Sequence, residues 1–88
     1  MEELEFRRHI EKLAYGEPEI REYGPNLRGK LHKHEFSAIL LVVRGTFSLA
    51  FIKESINLPP GKVYEVPAGV LHDERTGPDG ATVLLAKK

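Results

Sequence analysis

The chain has 88 residues, 13 basic and 13 acidic side chains, no net charge with histidine neutral, and no cysteine. A domain this small buries a limited share of its surface and usually needs a supplement to its core. Without cysteine, disulfides and thiolate ligands are excluded, which leaves a metal or a partner chain. The basic residues are spread rather than clustered, so no nucleic-acid surface is expected. The longest apolar run, 38–43, is too short to cross a bilayer. The start, Met-Glu-Glu-Leu-Glu, lacks the positive and apolar segments of a signal peptide, so a cytoplasmic protein is expected.

Residues 1–88 read as one domain. Over 3–14, Phe6, Ile10 and Leu13 recur at helical spacing between charged residues, and Gly16 and Pro18 end the pattern. A short amphipathic helix is expected there. After Pro18 the pattern changes to extended segments at 19–23, 28–34, 37–44, 46–53, 55–58, 62–66, 71–75 and 81–86. Gly24-Pro25-Asn26, Gly45, Pro59-Pro60-Gly61, Ala68-Gly69 and Gly77-Pro78-Asp79-Gly80 separate them. Many short strands with Gly/Pro turns predict an all-β fold, a small sandwich or closed barrel over about 19–86 carrying the N-terminal helix.

The run 38–43 is apolar on both faces: Ala38, Leu40 and Val42 on one, Ile39, Leu41 and Val43 on the other. One face points into the barrel. The other needs cover from a second sheet, the helix or a partner chain, and a homodimer is expected.

The chemistry is concentrated in three histidines. His32 and His34 form an H-x-H pair, which on a strand puts both rings on one face. His72 ends the block Gly61-Lys-Val-Tyr-Glu-Val-Pro67-Ala-Gly69-Val-Leu-His72. Brought from a neighbouring strand, it would complete a three-imidazole metal site. A degenerate site without metal is the alternative. No Ser-His-Asp pattern, P-loop or dinucleotide fingerprint is present.

These two blocks resemble the two signature motifs of the cupin superfamily. In the first, His32, His34 and Gly45 are in register; in the second, Gly61, Pro67, Gly69 and His72 are. The spacer 46–60 resembles that of minimal prokaryotic cupins. The resemblance implies a jelly-roll β-barrel with a metal on His32, His34 and His72. Three positions depart from the pattern. Asn26 replaces the opening glycine, a mild change because asparagine tolerates left-handed turns. Thr76 replaces the closing asparagine. Ala38 replaces the glutamate ligand, so no carboxylate can come from that position. Glu35 is out of phase with His34, whereas Glu74 shares the face of His72 and is a candidate proton acceptor or, less favoured, a substitute ligand.

Three neutral imidazoles leave a divalent metal its full charge and favour anionic or bidentate oxygen ligands. All-histidine sites resemble those of some cupin dioxygenases, which implies iron(II) and a chelating substrate. Imidazoles suit zinc, nickel and copper as well, and manganese or cobalt remain open. Arg28 and Lys30 share the face of His32 and His34 if that strand is regular. With Tyr64 they are candidate substrate contacts, against solvated strand-end charges and a core aromatic. Two functions are therefore expected of different class: an oxygenase acting on a small chelating molecule, or a non-enzymatic module that binds or senses a small ligand.

Overall fold

The computed structural model describes residues 1–88. Helix α1 spans Glu3–Lys12, followed by strands β1 (Glu19–Tyr23), β2 (Ala38–Ala50), β3 (Ser55–Leu58), β4 (Val63–Val66) and β5 (Asp73–Lys87). Glu2 caps the helix reciprocally with Glu5: each side chain accepts from the other's backbone N–H. The helix ends two residues before the expected boundary, where Ala14 turns left-handed at φ 63°. No helix is long and apolar enough to cross a membrane.

All pairings are antiparallel, in the order β1-β5-β2-β3. β2 is the spine. One edge pairs with β5 along its length; the other pairs first with β4, through Ala38–Leu41, and then with β3, through Phe47–Ala50. The two segments expected at 37–44 and 46–53 are thus one strand. It bends at Gly45 rather than stopping there, with register shifts on both sides of that residue. Gly45 has φ 91°, and a Cβ on it would lie 2.1 Å from the Gly80 carbonyl oxygen, so β2 and β5 cross closer than any side chain allows. The segments expected at 71–75 and 81–86 likewise fuse into β5. Between Thr76 and Ala81, β5 advances further than β2, so 77–80 stands off as a bulge instead of a chain-reversing turn.

The segment expected as a strand at 28–34 is not one. It touches the barrel through two isolated bridges, Arg28 to Arg75 and His32 to His72. Its side-chain alternation breaks where Lys30 and Leu31 are both exposed.

The two faces of β2 bury different cores. Leu40, Val42, Phe47 and Leu49 meet Leu58, Val66, Ala81 and Val83 inside the barrel. Ile39 and Leu41 meet Leu84 and Ala86 on the outside, where Phe6 and Ile10 of α1 and Tyr15 cover them. The chain's own helix therefore supplies the cover that the outer face requires. Val43, pushed out at the bulge, stays exposed.

Candidate metal centre

The irregular segment 24–37 is held against β5 by backbone hydrogen bonds rather than by a core. His32 and His72 exchange both N–H···O=C bonds, each 2.9 Å, so they sit directly opposite and point to the same side. The Gly69 N–H donates to the His34 carbonyl at 2.9 Å, tying the turn before His72 to the third histidine. Thr76 anchors the start of the segment: its hydroxyl donates to Gly24 O (2.6 Å) and accepts from Leu27 N–H (2.9 Å). Asn26 takes the left-handed conformation, φ 55°, as expected of a residue standing where the resembled motif has glycine.

The ligand nitrogens of His32, His34 and His72 all lie within 4.8 Å of one another. The ring tautomers are set for two of them. His32 Nδ1 faces Lys30 O at 2.6 Å and His72 Nδ1 faces Val70 O at 2.9 Å. A carbonyl only accepts, so each Nδ1 carries the proton and each Nε2 presents a lone pair inward. His34 stacks on Phe36, ring centroids 4.6 Å apart, with Lys87 Nζ 5.0 Å from the Phe36 ring. Burial, reinforced by the neighbouring His32 and His72, lowers the pKa of His34 and keeps it neutral, the form a metal requires. Three converging imidazoles, two of them with Nδ1 held by a backbone carbonyl, fit a divalent transition metal.

The histidines open into a cavity of about 300 Å³. Its apolar floor includes Leu40, Leu49 and Val66, continuous with the inner core. Ala38 lies in the wall between its cross-strand neighbours Lys87 and Val66. Where the resembled motif places a carboxylate, the chain has a methyl group beside a lysine. Glu74 is the one carboxylate in the wall. Its Oε2 is 3.5 Å from His32 Nε2 and its Oε1 4.0 Å from His72 Nε2. Tyr23 also reaches the cavity; burial first, and then the Glu74 charge, raises its pKa and keeps the phenol protonated.

The three expected substrate contacts lie elsewhere. Arg28 opens onto a lateral pocket with Arg75 and Thr76, and Lys30 is exposed, because the alternation assumed for this segment breaks before His32. Tyr64 packs beside Phe51, ring centroids 6.0 Å apart, on a separate groove. The cations in the cavity wall are Arg21 and Lys87, which the sequence reading did not single out. Both engage Glu19: Arg21 Nε donates to its Oε1 at 3.0 Å and Lys87 Nζ lies 3.6 Å away. Glu19 in turn raises the Arg21 pKa, fixing its charge. The available signal was parity, since Arg21 is in phase with Tyr23 on β1 and Lys87 with Val83 and Leu85 on β5.

No protein-family model and no curated protein matches the sequence. Solved structures do match the fold. A cupin-2 domain protein from Shewanella frigidimarina matches over 90% of this chain and 88% of its own, with TM-score 0.68 and 18% identity. KdgF from Halomonas sp. matches over 77% of this chain, with TM-score 0.65 and 26% identity; the chain spans 64% of its length. The DMSP lyase DddQ from Ruegeria pomeroyi matches over 78% of this chain but only 36% of its own, with TM-score 0.71 and 20% identity. The antiparallel sheet of this chain thus has the fold of these small cupin proteins.

Proposed function

We propose that this protein is a metal-dependent enzyme acting on a small anionic molecule that chelates the metal, and that the reaction is an oxygenation. The observation that supports it is a single cavity lined by metal-facing imidazoles and two cations, Arg21 and Lys87. A divalent transition metal held by His32, His34 and His72 would supply a Lewis-acidic centre and, as iron, redox chemistry toward dioxygen. The chain's own residues do the rest. Arg21 and Lys87 draw in and orient a carboxylate. Leu40, Leu49 and Val66 keep water from the cavity floor, which strengthens each of these charge interactions. The protonated Tyr23 hydroxyl offers a hydrogen bond to a developing negative charge on substrate.

At about 300 Å³ the cavity suits a metabolite of small size, at the lower end of ligand pockets. The test is oxygen uptake by iron-loaded protein with a panel of small 2-oxo and 2-hydroxy carboxylates. Turnover whose KM rises at least about tenfold in Arg21→Gln, with kcat less affected, supports the reading. Metal-loaded protein that binds such carboxylates without consuming oxygen would instead make it a binding module.

A further inference from the structure

We propose that Glu74 is the carboxylate ligand of this metal centre, supplying from β5 what Ala38 does not supply from β2. This rests on the metal-binding reading above.

The first ground is a conflict among acceptors. Lys30 O and Val70 O fix the protons of His32 and His72 on Nδ1, so both Nε2 atoms are lone-pair acceptors when the rings are neutral. The Glu74 carboxylate faces those same two atoms, at 3.5 Å and 4.0 Å. Three acceptors thus converge on one space, an arrangement that suits a cation as their common partner. One divalent ion satisfies all three groups and leaves both rings neutral.

The second ground is the isolation of Glu74. Its side chain is 21% exposed, and the only basic groups within 4.0 Å of it are His32 and His72. The adjacent Asp73 is committed to Arg75, at 2.9 Å. Arg21 and Lys87 share the cavity wall with Glu74 but pair with Glu19 instead. No lysine or arginine neutralises this carboxylate, and a metal held by the same histidines would.

The third ground is topology. Glu74 lies on β5, two residues beyond the His72 bridge that precedes the strand, and faces the same cavity. Its neighbour across the ladder is Leu49, whose side chain is part of the cavity floor and offers no competing polar group.

Coordination by Glu74 lowers the site charge by one relative to three imidazoles alone. It also leaves the region beside Ala38 and Lys87 clear for an exogenous anion.

The experiment is titration of apo-protein with cobalt(II), following visible absorption, for wild type, Glu74→Ala and Glu74→Gln, with circular dichroism confirming the fold of each. Wild type is expected to bind one cobalt. Both variants are expected to bind at least about tenfold more weakly, with the ligand-field bands displaced. Unchanged affinity and bands in the variants would overturn the assignment while the three-histidine centre stood. Weaker binding with unchanged bands would also overturn it, making Glu74 a positioning residue. A folded wild type that takes up no cobalt would remove the metal-binding reading and this assignment together.

Discussion

The two faces of β2 are built on different physics. On its outer face Ile39 and Leu41 are sealed under Phe6 and Ile10, and the polar group in that layer is the Tyr15 hydroxyl, which donates to Glu65 at its edge. On its inner face Ala38 borders a cavity, two of whose histidines come from an irregular segment held by paired backbone bonds and one threonine. Apolar burial is strong, non-directional and indifferent to which residue supplies it. The histidine end needs direction instead, and hydrogen bonds provide it at about 1 kcal/mol each. Stability and chemistry are thus assigned to separate parts of one strand, and a change in either part should leave the other nearly untouched.

The largest effect expected is on the sealed side. Phe6→Ala removes a fully buried ring and should cost about 3–5 kcal/mol, visible as a fall of the melting midpoint. The metal content of the molecules that remain folded should not change. Loss of metal in step with helix packing would break the separation.

Next comes metal itself. With free metal about a hundredfold above Kd, stabilisation should be about 2.7 kcal/mol, a rise in midpoint on the order of 10 °C that a chelator reverses. His72→Ala should abolish the rise, whatever its effect on the metal-free midpoint. A variant that is still stabilised by metal would place the ion elsewhere.

Thr76→Val sharpens the contrast. It removes the two side-chain bonds that hold residues 24–27 and should cost about 1–2 kcal/mol. It should also weaken metal binding more than Ile10→Val does, although the latter lies in a better-packed layer. Metal titration of both variants checks this.

The smallest effect is a pH dependence to which the sealed side contributes through Tyr15. Burial first, and then the hydrogen bond to Glu65, pushes the Tyr15 hydroxyl above its ordinary pKa of 10.0. The folded state therefore holds a proton that the unfolded chain releases. That contribution is complete below pH 10.0 and fades as pH rises through the folded-state value. Denaturant melts should show stability falling above that pH, less steeply in Tyr15→Phe. The slope that remains belongs to Tyr23, which is raised in the same direction.

Particular residues show what the sequence made legible. The helix was readable from Phe6 and Ile10, and β1 and β3 from their turn boundaries, because each signal is local. The convergence of His32, His34 and His72 was readable from the H-x-H spacing and the two blocks around it. Gly45 and the turn residues of 77–80 read as strand ends, but local glycine chemistry does not distinguish a turn from a bulge between paired strands. The phase of Arg28 and Lys30 was lost because two bridges fix the segment's backbone, and the exposed Lys30-Leu31 pair resets its alternation. Parity gives the face of Arg21 and of Lys87, but their sharing one cavity wall depends on the β1–β5 pairing, which no spacing along the chain encodes.

The decisive measurement is elemental analysis of tag-free protein purified without added metal, beside His34→Ala prepared identically. Near-stoichiometric transition metal in wild type, absent from the variant, is the expected result. No metal in wild type, even after anaerobic reconstitution of folded protein, would contradict a metal centre at this end of the barrel.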